Sequence, residues 1–260
     1  MGRALVDLER RQLLRLQAHG IDDVGFMAAL LGDLGRRAAI DPRRVYVAGH
    51  SNGGMMAHRL GEELPGRFAA IASVAGAHVP SAGSGQAVPV LHIHSVDDPR
   101  ALYGGGLGPP FPLTGSRVLH PPVDATLSAW ARRDGCGPTA AEQEFRKSAE
   151  HTARRLVYGN CRDGVEVALW KLAGAGHGWP GGRPVGSLAR PVDPGHRRQR
   201  RNLALLLAFF TAPLNMQVEG GWWPRELSVC VASRPIAAIG VCEVEGQVLE
   251  WSCRWQTHVR

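Results

Sequence analysis

Residues 47–54 read Val-Ala-Gly-His-Ser-Asn-Gly-Gly, and Gly49 to Gly53 within them form a Gly-x-Ser-x-Gly pentapeptide. A serine hydroxyl is a poor nucleophile at neutral pH. It needs a histidine to take its proton and an acid to fix that histidine's tautomer. Two later segments offer them. Ser95-Val96-Asp97-Asp98-Pro99 follows the strand-like run Val88 to His94, and Gly174-Ala175-Gly176-His177-Gly178 follows a strand ending near Ala173. An acid just past the C-terminal end of a strand lies on the same rim as the serine. A histidine among glycines on a loop reaches over that rim. Ser51, Asp98 and His177 are therefore the candidate nucleophile, acid and base. Asp97-Asp98-Pro99 by itself is a turn cap, and His177 by itself is one of 11 histidines. The order, with each residue following a strand, carries the inference. His50, beside Ser51, reads as packing or pocket lining. His58 and His78 read as helix and loop residues, and His92 and His94 alternate along one strand. His94, near the rim, is a candidate buttress of the Asp98 loop.

The elements that must hold these residues follow from periodicity and punctuation. Arg44 to Ala48 is a β-branched and aromatic strand, and Gly54 to Leu64 has helical spacing. Strand, tight turn, helix is the context this serine motif requires. Upstream, residues 4–18 read as a helix. Asp22 and Asp23 are placed to cap a second helix over about 23–38, which Asp41-Pro42 stops. Residues 68–75 and 88–94 read as strands, 99–122 as a long Gly/Pro-rich loop and 123–133 as a helix around Leu127 and Trp130. Strands near 154–158 and 165–172 follow, then Gly/Pro-rich 180–195 and a last helix over 197–210. Strands alternating with helices imply an α/β fold with a mostly parallel sheet and helices on both faces. From Pro213 the character changes to strand-like pieces around 227–232, 237–244 and 247–255.

Composition narrows the alternatives. The 260 residues suit one α/β domain, or one domain with an appendage, and the 44% hydrophobic content supports a sizeable core. No apolar run approaches the ~20 residues of a membrane span, so no membrane partner is expected. The formal net charge is +7, concentrated in arginines such as Arg197-Arg198-Gln199-Arg200-Arg201. No aromatic–basic interleaving accompanies it, so it reads as a solvated surface and no nucleic-acid partner is expected. The five cysteines form no Cys-x-x-Cys pair, which disfavours zinc. No metal or cofactor is expected. The start, Met1 to Arg11, carries charges where a signal peptide has an apolar stretch.

The chain resembles the polyhydroxybutyrate depolymerase-like esterases, a branch of the α/β-hydrolases that also holds feruloyl and acetylxylan esterases. The matching stretches are Gly20 to Phe26, Asp41 to Tyr46, Gly49 to Met56, His92 to Pro99, Trp130 with Gly135-Cys136, Cys161, and Gly176 to Gly181. The resemblance spans about residues 20–212. It implies an α/β-hydrolase catalytic domain there and carboxylic ester hydrolysis through an acyl-enzyme, with Ser51, Asp98 and His177 in the order Ser, acid, His. The backbone N–H of Asn52 is then one oxyanion donor, and His50, Tyr103 and Trp179 are pocket candidates. The substrate is a small or polymeric ester. Polyhydroxyalkanoate, feruloyl or acetyl, and short-chain esters all remain open. Asp97 stands where the family has a small residue, which leaves Asp97 as a second candidate acid. The family carries cysteines at the positions of Cys136 and Cys161 and is mostly exported, which implies a disulfide between them.

Two regions depart from the family. Its members place a His-Gly-Gly-like oxyanion segment upstream of the Gly20 stretch. Here only about twenty helical-looking residues precede it, and His19-Gly20 has no strand before it. The expectation is an N-terminally truncated hydrolase with an atypical helical segment at 1–19, lacking its first strands and half of its oxyanion hole. Loss of one donor costs ~3–4 kcal/mol of transition-state stabilisation. The alternative function is then a catalytically impaired remnant. The tail 213–260 lies outside the family. It reads as a β appendage covering a sheet edge, or as a shifted reading frame or poorly ordered extension, with the last two preferred.

Overall fold

The computed structural model describes residues 22–83, 85–110, 115, 117–148, 151–179, 227–231 and 239–243, the last two segments as backbone only. The expected helices at 4–18 and 197–210 lie outside the described residues.

Helix α1 spans Asp23–Arg37. Asp22 caps it by accepting from the Gly25 N–H at 2.8 Å. Asp23 in the first turn and Arg36 and Arg37 in the last complement the helix dipole. Asp41 accepts from the Arg43 N–H and opens a single 3-10 turn at Pro42–Arg44. Strand β1, Val45–His50, follows, and then helix α2, Asn52–Glu63. Strands β2, Ala70–Val74, and β3, Val90–Ser95, are buried at every position. Burial at every position fits strands covered on both faces. Among its described residues, the expected loop at 99–122 contains a two-residue ladder, β4 at Gly106–Leu107 with β5 at Leu119–His120. Helix α3 spans Val123–Arg133. Three strands follow: β6, Ala141–Lys147; β7, Thr152–Tyr158; and β8, Val167–Ala173. The tail gives β9, Leu227–Val231, and β10, Ile239–Glu243.

The main sheet runs β10-β9-β1-β2-β3-β8-β7-β6. Strands β9, β1, β2, β3 and β8 pair in parallel, while β7 is antiparallel to β8, β6 to β7 and β10 to β9. The strands expected near 154–158 and 165–172 therefore form an antiparallel hairpin, because the short link between them holds no crossover helix. Strand β6 was not foreseen. Its sequence Ala-Glu-Gln-Glu-Phe-Arg-Lys is mostly exposed and shows no apolar face, as suits a charged sheet edge. The outer flank of β1 pairs with β9, a strand from the tail.

The three described helices share one face of the sheet. Val24 and Met27 of α1, Ala57 and Leu60 of α2, and Val123, Leu127 and Trp130 of α3 pack on Val47, Ile71, Val90 and Val167. Ala48, Val74, Leu91, Ile93 and Trp170 form a second cluster on the opposite face. The parallel strands thus all end on one rim, where Ser51, the Asp98 loop and the His177 loop emerge.

Candidate active site

Ser51 sits between β1 and α2 with φ 57° and ψ −119°. That backbone is sparsely populated for a residue with a side chain, and strain of this kind gathers at functional sites. Glycines make the turn possible. A Cβ on Gly49 would lie 2.1 Å from the Gly53 carbonyl oxygen, and one on Gly76 would lie 2.1 Å from the Ser51 carbonyl oxygen. A Cβ on Gly54 would lie 2.5 Å from Ser73 Oγ, so α2 starts close against β2. The Ser51 N–H donates to the Val74 carbonyl at 2.8 Å, tying the turn to the neighbouring strand. Ser51 is also the N-cap of α2. Asn52 is the first helical residue, and its N–H is among those that a helix leaves without an internal partner. The positive end of the helix dipole faces this point.

The structure brings Ser51, His177 and Asp98 into one line. His177 Nε2 lies 3.1 Å from Ser51 Oγ, and His177 Nδ1 lies 2.7 Å from Asp98 Oδ2. Asp98 is fully buried at the side chain, and His177 is part-buried, its side chain 12% exposed. Asp98 Oδ1 accepts from the N–H groups of Arg100 and Ala101 at 2.8 and 2.9 Å. This turn aims the second oxygen at the imidazole.

The two aspartates are divided by geometry. Asp97 faces the Ser95 hydroxyl and accepts from the Gly174 N–H at 2.9 Å. Burial raises its pKa, but these hydrogen bonds outweigh burial and hold it below the usual carboxylate range. Ser95 Oγ also accepts from the Ala175 N–H at 3.2 Å. Ser95 and Asp97 thus clamp the start of the loop that carries His177. Gly174 and Gly176 turn that loop with φ of 87° and 59°.

The pocket candidates separate. The His50 ring lies 4.8 Å from that of His177. Burial, with His177 beside it, pulls its pKa down to about 4, so it is neutral at pH 7. Trp179 packs on the sheet face that carries Ala48 and Leu91. The Tyr103 hydroxyl donates to Asp124 at 2.6 Å, and its ring meets His94 edge-on at 5.8 Å. Tyr103 therefore braces the Asp98 loop against α3. Cys136 and Cys161 are joined by a disulfide. His19-Gly20 lies outside the described residues. Among the described residues no group of His, Cys, Asp or Glu is placed to hold a metal ion.

One feature was not read from the sequence, and a second was read only in part. The Ser95–Asp97 clamp carried no signal beyond polar residues at a strand end. His92, His94 and His58 form a hydrogen-bonded series behind Asp98. Its visible signals were the pair of histidines two apart on an otherwise apolar strand and the place of His94 near the rim, which made it a candidate buttress of the Asp98 loop; the part of His58 had none.

Residues 14–86, which contain the serine turn, match the model of the prolyl oligopeptidase family. The chain is 34% identical over 172 residues to "Putative esterase NocK" of Nocardia uniformis subsp. tsuyamanensis, covering 62% of this chain and 49% of that protein. It is 28% identical over 162 residues to feruloyl esterase B of Piromyces equi, covering 60% of this chain and 29% of that one. The chain thus spans about half, or less, of the length of these curated relatives. A solved acetyl xylan esterase from Aspergillus awamori aligns with a TM-score of 0.40 at 15% identity, over 68% of this chain and 65% of that chain. A likeness of that size identifies neither substrate nor mechanism. The serine turn, the parallel sheet with its helices and the family match together give this chain the α/β-hydrolase fold, and its matched relatives are esterases.

Proposed function

We propose that the chain is a serine esterase that hydrolyses carboxylic esters through an acyl-enzyme, of the polyhydroxybutyrate depolymerase-like kind. The observation that carries this reading is the line Ser51 Oγ, His177 Nε2, His177 Nδ1, Asp98 Oδ2, with its steps of 3.1 and 2.7 Å. His177 takes the Ser51 proton as Oγ attacks the ester carbonyl carbon. Asp98 holds the Nδ1–H tautomer and balances the imidazolium that forms. The Asn52 N–H faces the developing oxyanion at the positive end of α2. The imidazolium then protonates the departing alkoxide. A water, deprotonated by the same imidazole, releases the acid and restores Ser51.

Esters are favoured over peptides because the relatives matched over the longer stretches are named esterases, one of them a feruloyl esterase. The disulfide between Cys136 and Cys161 fits work in an oxidising compartment. Parallel assays on p-nitrophenyl acetate, methyl ferulate, a 3-hydroxybutyrate oligomer and a prolyl peptide anilide test the reading. Turnover of at least one ester, with the anilide inert, is expected. Anilide cleavage with every ester untouched would replace the esterase by a peptidase.

A further inference from the structure

We propose that His94, held in place by His92 and His58, is a positioning residue for Asp98, through a one-way chain of three neutral imidazoles anchored on the Ala101 carbonyl. This rests on the role proposed above for Asp98.

Strand β3 turns His92 and His94 toward the helices, and α2 lays His58 against them. The ring of His92 lies 5.3 Å from that of His58 and 5.2 Å from that of His94, and Trp130 stacks on His58 at 5.8 Å. The three imidazoles are 0%, 0% and 2% exposed, so each ring nitrogen needs a partner inside the protein. They are bonded in series. His58 Nε2 lies 3.1 Å from His92 Nδ1, His92 Nε2 lies 3.0 Å from His94 Nδ1, and His94 Nε2 lies 2.7 Å from the Ala101 carbonyl oxygen.

A carbonyl oxygen only accepts, and that fixes every proton. His94 must carry its proton on Nε2, which leaves Nδ1 as an acceptor. His92 must then donate from Nε2, and so must His58. The reverse polarity would set the bare Nε2 lone pair of His94 against the Ala101 oxygen. The one atom left without a protein partner is His58 Nδ1, the nitrogen furthest along the chain from Asp98. Burial keeps all three rings neutral, pulling His58 down to about 3 and His92 and His94 below their ordinary value. The charged or titratable groups facing the ends are His78 and Glu62 at His58, and Asp98, His177, His50, His120 and Tyr103 at His94.

The consequence falls on the catalytic loop. By holding the Ala101 carbonyl, His94 anchors the residue whose own N–H, on the preceding peptide, donates to Asp98 Oδ1 at 2.9 Å. Its own Nε2 also lies 3.5 Å from Asp98 Oδ2, the oxygen that faces His177. Aligned imidazoles polarise one another and turn the positive end of their dipoles toward the carboxylate. A protonated His94 at that distance would instead compete with His177 for the same oxygen. The chain supports Asp98 without adding a second cation.

Long-range proton–nitrogen NMR on histidine-labelled full chain tests the series directly. His58, His92 and His94 should each show a protonated Nε2 and a bare Nδ1 at pH 7. A proton on His94 Nδ1, or a doubly protonated His94, overturns the proposal whether or not any variant folds. In a folded His94→Leu variant, the Arg100 and Ala101 amides should exchange with deuterium at least tenfold faster. Its kcat on p-nitrophenyl acetate should fall by up to about 10²-fold with KM little changed, since small misplacements of a catalytic group cost about that much. His94→Gln, which keeps an N–H near the Nε2 position, should recover most of both. Unchanged exchange in His94→Leu, or equal loss in both variants, contradicts the proposal. Wild-type protein that turns over no ester refutes the esterase reading instead, and the NMR and exchange results stand apart from it.

Discussion

At the residue scale, labour is divided between neighbours that the sequence leaves hard to separate. Ser51→Ala should abolish hydrolysis and leave the fold intact, because alanine fits the turn but has no oxygen to attack with. Loss of a nucleophile costs about 10⁶-fold in kcat in serine hydrolases. Retained turnover in the folded variant would remove Ser51 from the mechanism. Asp98→Asn should cost about 10²- to 10⁴-fold, since an amide facing His177 Nδ1 favours the wrong tautomer. Asp97→Asn should cost far less, because Asp97 faces Ser95 and the Gly174 N–H rather than His177. Side-by-side kinetics decide it, and the reverse ranking would move the acid to Asp97. The sequence carried Ser51, Asp98 and His177 through their order after successive strands. It favoured Asp98 and kept Asp97 as a second candidate, because one residue of loop rotation exchanges their directions.

At the element scale, two close contacts make sharp expectations. Gly76 packs so tightly under the serine turn that a Cβ there would lie 2.1 Å from the Ser51 carbonyl oxygen. Gly76→Ala should cost about 3 kcal/mol or more of stability, read by denaturant unfolding, and should cut activity with it. A variant of wild-type stability would show that the turn is looser than described. Asp134, at the end of α3, is the second case. Burial holds its carboxyl up at about 6, against the Val88 amide and the Arg133 and Arg162 charges. The unfolded value is ~3.9. Between the two the folded protein holds a proton that the unfolded chain has released. Its contribution to stability therefore falls as pH rises from about 4 to about 6. Asp134→Asn should flatten that stretch of the Tm–pH curve, and an unaltered slope would place the titration elsewhere. Periodicity read α1, α2 and α3 well, because each has an apolar stripe, and α1 and α3 also have an acidic first turn and a basic last turn. It missed β6, whose exposed residues alternate nothing, and it gave no hint that β7 and β8 form a hairpin. Strand direction depends on what links the strands, which apolar patterning does not encode.

At the scale of the whole molecule, the bond between Cys136 and Cys161 ties the end of α3 to the segment after β7. Closing a loop across 25 residues should contribute about 3 kcal/mol. Reduction, or Cys136→Ser with Cys161→Ser, should lower the denaturation midpoint accordingly. Both thiols alkylated without prior reduction would show that the bond is absent. That pairing came from a family resemblance, since spacing alone cannot choose partners among five cysteines. The strand character of β9 was legible, and a β appendage covering a sheet edge was one reading of the tail, but its pairing with β1 joins segments about 180 residues apart and no local signal names the partner. The central claim is that Ser51 is a nucleophile activated by His177. Intact-mass and peptide mapping after exposure to a fluorophosphonate probe tests it most directly. One adduct is expected, on Ser51, forming at least a hundredfold more slowly in His177→Ala. No adduct on Ser51 in the wild-type protein, or an equal rate in the variant, would contradict it.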